Sequence, residues 1–180
     1  MPGSIQPGDG SFVHLHVHSE YSMLDGAARI ADLFSGCERL GMPAIAVTDH
    51  GNTFGAYEFY KAGRASSVKP IIGIEAYLTP KTHRSERRRV LWGEGGSDDV
   101  SGGGAFTHLT LWAEDTPGMH NLFRLSSLAS LEGYFYKPRM DRELLARYAS
   151  GLIATTGCPS GEVQTYLRLG RYQDAIASAA

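Results

Sequence analysis

The segment Ala44-Ile45-Ala46-Val47-Thr48-Asp49-His50-Gly51-Asn52 changes character at its midpoint. Its first half is short and apolar and reads as a buried strand. Its second half places an acid, an imidazole and a glycine where a strand gives way to a helix. On either side the chain repeats the pattern. Ala27 to Leu40 puts Ile30, Leu33, Phe34, Cys37 and Leu40 on one helical face, and Gly41 with Pro43 ends it. Phe54 to Ala65 reads as a helix, with Tyr57 and Tyr60 at i, i+3. Pro70 to Leu78 is a second apolar strand. Further out, Phe12 to His18 alternates as a strand, and Phe106 to Ala113 and Leu152 to Thr155 complete five strands. Helices are expected over Gly118 to Leu131 and Met140 to Tyr148, and two short ones at the end split at Gly170. Strand-helix units with near-continuous apolar strands predict an α/β fold with a parallel sheet.

The chain has 180 residues, 42% of them hydrophobic and 20% charged, enough for one domain with a sizeable core. The net charge of −2 excludes a strong overall field towards nucleic acid or an anionic membrane, so any DNA contact must be local. No apolar run approaches the roughly 20 residues of a membrane span, and no membrane partner is expected. Two cysteines, Cys37 and Cys158, make no disulfide framework, and the reading is a reducing cytoplasm. Residues 1–11 are rich in Gly, Pro and Ser and read as a disordered lead. Lys81 to Gly104 reads as a long polar insertion, basic at first and then rich in Gly and Asp, with little to pack. The chain stops inside a helical pattern, so residues 12–180 read as a domain truncated before its C-terminal end.

In α/β sheets, functional residues gather at the C-terminal ends of strands. The first strand ends in His14-Leu15-His16-Val17-His18, whose period of two puts three histidines on one face. One lone histidine is ordinarily a hydrogen-bonded core or surface residue. Three in five residues beside carboxylates are a metal signature. Asp25, in the turn Met23-Leu24-Asp25-Gly26, reads either as a helix cap or as a ligand. Asp49 and His50 end the second strand. Glu75 sits inside an apolar strand, where a carboxylate is costly unless paired or metal-bound. His108 begins the next strand, and Cys158 follows the last. Cys37 faces a helix core and reads as an inert thiol. A His, Asp, Glu or Cys thus marks every expected strand end, and a polynuclear metal centre accounts for that. Mixed imidazole, carboxylate and thiolate donors favour zinc, with manganese or iron as alternatives.

The strings HLHVHSEYSMLDGA, MPAIAVTDHGN, KPIIGIEAYL, YFYKPRMD and GLIATTGCPSGE resemble, in order, the polymerase and histidinol phosphatase (PHP) superfamily, and within it the N-terminal domains of bacterial DNA polymerase III alpha subunits. The resemblance runs from Phe12 to about Gly170. It implies a distorted (β/α)7 TIM-like barrel, here only its N-terminal portion. It implies three divalent metal ions held by His16, His18, Asp25, His50, Glu75, His108 and Cys158. An Asp-x-His pair that the family carries later falls beyond this sequence. His14 stands where the superfamily often has Asp, and is expected deeper in the fold as a partner of the ligands.

The implied activity is a metal-dependent 3′–5′ exonuclease that proofreads for the attached polymerase, hydrolysing DNA phosphodiesters with metal-activated water. Asp25, His50 and Arg139 are its candidate catalytic residues, Arg139 because a guanidinium suits phosphate geometry. The implied partners are a DNA 3′ end, the palm and fingers of the same polymerase chain, and the sliding clamp and other replisome subunits. Lys81, Arg84, Arg87, Arg88 and Arg89 form a basic segment that either contacts phosphates or is a solvated loop face. Two other functions compete: a catalytically silent, metal-stabilised scaffold of the polymerase, and a histidinol-phosphatase-like small-molecule phosphoesterase.

Overall fold

The computed structural model describes residues 12–23, 25–92 and 101–180. The proposed lead over residues 1–11, Leu24 and the middle of the Lys81–Gly104 insertion lie outside them. The fold is mixed α/β, in two compact units: residues 12–49 with 53–73, and residues 50–52 with 74–180.

In the first unit, helix α1 (Ile30–Arg39) buries Ile30, Phe34 and Cys37, one stripe at i, i+4, i+7. Leu40 was expected on that face, but it lies past the last turn and is exposed. Strand β1 (Ala44–Val47) is buried throughout and runs parallel to the first half of β2 (Lys69–Leu78), with Ala44 opposite Lys69 and Val47 opposite Ile72. Helix α2 (Ala56–Arg64) turns Ala56, Phe59 and Gly63 inward, and Phe59 meets Phe34 at 4.8 Å between ring centroids. Tyr57 and Tyr60, one turn apart on this helix, are exposed. Tyrosine tolerates the wet face because its hydroxyl stays hydrated, whereas phenylalanine does not.

The segment Phe12–His18 is not a continuous strand. It lies along β1 through a bridge between His14 and Ile45 and through the bonds Ala46 N–H to His14 C=O and Thr48 N–H to Val17 C=O. The Thr48 hydroxyl takes the Val17 N–H, so a side chain replaces part of the ladder.

In the second unit the second half of β2 lies between β5 (Lys137–Met140) and β3 (Thr107–Ala113), and the strand order is β4-β5-β2-β3-β6. β5 is parallel to β2, with Tyr77 opposite Arg139. The expectation of an all-parallel sheet is corrected at β6 (Leu152–Thr155), which is antiparallel to β3 with Ala113 opposite Leu152. Helix α3 (Thr116–Glu132) and helix α4 (Arg142–Arg147) return the chain to the end of the sheet where β3 stops, so it re-enters in the opposite sense. β6 is an edge strand with three of its four residues exposed. β4 (Tyr134–Phe135) and β5 form a tight hairpin that sequence periodicity did not reveal, because two residues are too few to show a period. The helix expected over Met140 to Tyr148 begins only at Arg142, since Asp141 caps it through the Leu144 N–H.

Helix α3 packs on β3 and β5 with Leu122, Leu125 and Ala129 buried, and Ile74, Ala76, Leu111 and Met140 are buried in the sheet. Helices α5 (Glu162–Arg168) and α6 (Tyr172–Ala179) form a satellite cluster, in which Trp92 packs on Tyr166 and Ala175. The described part of the polar insertion is therefore not idle. Trp92 and Thr82 are buried. Arg84 pairs with Asp141 at 3.1 Å and with Glu132 at 2.6 Å. The described part of this insertion gains its place from ion pairs and one indole.

Candidate metal centre

In the second unit the C-terminal half of β2 carries Glu75 between Ile74 and Ala76, and its side chain is only 1% exposed. An isolated carboxylate in such a place would be strongly disfavoured, and three groups surround this one. Glu75 Oε1 lies 2.8 Å from His108 Nδ1 and accepts from the Cys158 thiol at 3.0 Å. Oε2 lies 3.2 Å from His50 Nδ1. Ligand atoms of His50, Glu75 and His108 all fall within 4.8 Å of one another, and Cys158 Sγ is 3.5 Å from His108 Nδ1.

Backbone geometry delivers each of these side chains. His50 forms a parallel bridge with Glu75, and the Gly51 N–H donates to the Glu75 carbonyl at 2.9 Å. Gly51 has φ +65°, and a Cβ there would come within 2.6 Å of the Tyr77 ring and 2.9 Å of Pro138, so only glycine lets the chain pass. His108 is fixed by a bridge to Gly161 and by its N–H bond to the Ser160 carbonyl. The Gly157–Gly161 turn, closed by the Gly161 N–H to the Cys158 carbonyl, thereby holds Cys158 beside His108. Tyr77, which the sequence did not single out, walls the site: its ring is stacked on His50 at 5.9 Å and meets His108 edge-on at 5.2 Å. Burial first, and then the hydrogen bond to Glu75, push the Cys158 thiol up to about 11.

In the first unit His16 and His18 have ring centroids 5.2 Å apart, and His18 Nδ1 is 3.3 Å from Asp25 Oδ2. Asp49 organises the turn that carries them. It is 3% exposed and accepts from the Ser19 N–H at 2.7 Å, the Ser19 hydroxyl at 2.7 Å and the Ser22 hydroxyl at 2.5 Å. Sequence reading noted Asp49 and Ser22 in motifs but not their bond, which joins residues 27 positions apart. Asp25 does not cap α1, whose N-cap residue is Arg29. His14 is exposed and lies edge-on to Phe12 rather than deep in the fold. Cys37 is buried on α1, and burial raises its pKa, as suits an inert thiol.

The expected phosphate contact from Arg139 is corrected. Its side chain is 0% exposed. Nε donates to the Gly133 carbonyl, Nη1 to Ala105, and Nη2 to Arg84 and Glu86. On β5 Lys137 and Arg139 share one face of the pleat; Lys137 lies at the exposed tip of the hairpin, whereas Phe135 covers Arg139. Four carbonyls occupy the guanidinium, and it offers a phosphate no surface.

The donor sets, imidazole with carboxylate and one thiol, suit a divalent cation of zinc type. The buried carboxylate with three convergent donors is the observation that fits one, since a cation would balance the charge that burial penalises.

Known proteins bear on this geometry. The chain is 58% identical over 93% of its length to DNA polymerase III subunit alpha of Saccharopolyspora erythraea, of which it covers 15%. It is 60% identical over 94% of its length to the same subunit of Mycobacterium leprae, again covering 15%. It is 48% identical over 92% to that of Thermus aquaticus, covering 13%. The chain thus spans about 15% or less of the length of these relatives. The PHP domain profile matches residues 14–180, nearly the whole chain, and the chain belongs to the PHP domain family.

Proposed function

We propose that this chain is the PHP domain of a DNA polymerase III alpha subunit and acts there as a metal-dependent 3′–5′ exonuclease. The carrying observation is the buried Glu75 with His50, His108 and Cys158 around it. A DNA 3′ end would be its substrate, and the polymerase palm and fingers, the sliding clamp and other replisome subunits its companions, as the family resemblance implies; the relatives are named as DNA polymerase III alpha subunits. It also takes the α/β fold as the opening portion of a distorted (β/α)7 barrel, with residues 12–180 forming one PHP domain.

His50, Glu75, His108 and Cys158 would hold metal in the second unit, and His16, His18 and Asp25 would be further ligands in the first. Three divalent ions, zinc before manganese or iron, fit the donor types. When bound, such ions supply Lewis acidity and lower the pKa of water for phosphodiester hydrolysis. The chain's own contribution is placement. Glu75 aligns three donors around one carboxylate. Tyr77 excludes water from one side of His50 and His108. Asp49 locks the serines of the turn between His18 and Asp25.

The test is digestion of a labelled primer with a 3′-terminal mismatch by the full-length, metal-loaded protein. Loss of digestion on chelation, and its return with zinc or manganese, supports the reading. Bound metal with no digestion would favour the silent scaffold. Release of phosphate from a small monoester, with DNA left intact, would favour a small-molecule phosphoesterase.

A further inference from the structure

We propose that the β4–β5 hairpin and the arginine segment beside it form a track for single-stranded DNA. Tyr134 and Tyr136 are each 60% exposed. Tyr136 alone turns the chain between Phe135 and Lys137, in a left-handed conformation with φ +63° that a bulky residue rarely adopts. Such backbone persists only where its surroundings hold it. Here Phe135 lies over the buried Arg139 guanidinium at 4.9 Å, and Gly133 lets the end of α3 press on the Arg139 carbonyl. The fold thus exposes Tyr134 on β4 and Tyr136 at the one-residue turn that follows it.

Cations alternate with these rings. Arg87, Arg88 and Arg89 are exposed, and the Arg89 guanidinium lies 5.0 Å over the Tyr136 ring. Glu86 neutralises Arg88. Among the described residues no carboxylate pairs with Arg87, Arg89 or Lys137. Lys137 Nζ is 5.6 Å over Tyr77, the same ring that lies against His50 and His108. The surface therefore runs from Tyr136 and Arg89 at the turn to Lys137 beside the Glu75 cluster, with Tyr134 exposed on the other face of the hairpin, opposite Pro138. Exposed π-faces interleaved with cations suit unpaired bases joined by phosphates, whereas a duplex hides its base faces. The choice of DNA rests on the function proposed above; the stacking surface does not.

The experiment uses the full-length protein and a short oligodeoxythymidylate carrying 5-iododeoxyuridine near its 3′ end. Irradiation followed by peptide mapping is expected to place the label on the peptide holding Tyr134 and Tyr136. Tyr134→Ala and Tyr136→Asn (asparagine tolerates the left-handed region) should each cut the label at this peptide and weaken binding about 10-fold, and Tyr→Phe should restore both. Lys137→Gln should reduce the salt dependence of binding by about 0.7 in log–log slope. Label confined to other peptides, with binding unchanged by these substitutions, overturns the track. Label at the hairpin without hydrolysis supports the track and removes the nuclease reading. Hydrolysis without label at the hairpin does the reverse.

Discussion

Cys158 Sγ and Glu75 Oε1 lie 3.0 Å apart across 83 positions of sequence. The thiol donates to a carboxylate that His108 also meets, so one buried oxygen gathers groups from β2, β3 and the turn after β6. The middle of β2, the start of β3 and the turn after β6 meet at one point, and the charge of Glu75 is what their donors share.

Glu75→Gln keeps the shape and removes that charge. Metal bound by the second unit should then weaken by about 100-fold or more, because even supporting residues around a metal change affinity 10–100-fold. Elemental analysis of the full-length protein after dialysis against a weak chelator checks this. Unchanged metal content in the variant would show that Glu75 is buried for packing alone.

Asp25→Asn should leave the fold intact, since the Asp25 side chain is 61% exposed. Hydrolysis at a mismatched 3′ end should fall by roughly 100-fold, the scale on which metal sites respond to a lost partner. Primer extension by the same preparation should persist. Parallel digestion and extension assays separate the two, and equal loss of both would point to collapse of a scaffold.

Asp49→Ala strands the Ser19 N–H and two hydroxyls in a buried turn. The expected cost is about 2–4 kcal/mol, from unpaired buried donors, while Ser22→Ala should cost about 1 kcal/mol. Chemical denaturation gives both values. A variant as stable as wild type would mean that water replaces the carboxylate freely.

Asp141 couples the insertion to α4. Burial pushes its carboxyl up, but the N–H groups of Leu144 and Arg84 and the Arg84 charge outweigh that and hold its pKa below the ordinary value. A carboxyl depressed on folding contributes stability fully above its unfolded pKa of about 3.9, and loses it as pH falls through the lower folded value. Asp141→Asn should therefore destabilise at neutral pH by roughly 2–4 kcal/mol and flatten the acid limb below about pH 4. Denaturant midpoints at neutral and acidic pH test the sign. An acid limb as steep in the variant would clear Asp141 of the effect.

Arg139→Lys should destabilise by about 3 kcal/mol, because a lysine cannot serve four carbonyls spread around a planar fork. Thermal unfolding should register the change, and KM for DNA at a temperature where both forms are folded should not. A raised KM with an unmoved unfolding midpoint would return Arg139 to substrate contact.

Sequence alone determined the kind of elements and the kinds of donors. The apolar run from Ala44 to Val47 read as a buried strand, and a glutamate inside Ile71–Leu78 needed partners unless it lay exposed at an edge, because local pattern and desolvation cost are written residue by residue. Histidines, aspartates and one cysteine at the strand ends named the chemistry in the same way. Tertiary structure decided which groups share an atom. That Glu75 Oε1 meets both His108 and Cys158 depends on register between strands distant in sequence, which no local period encodes. Structure alone also reversed β6, because its direction follows from where α3 and α4 return the chain. And it separated Lys137 from Arg139. Both are cations two positions apart in one motif, yet α3 and Phe135 close over the one and leave the other in water.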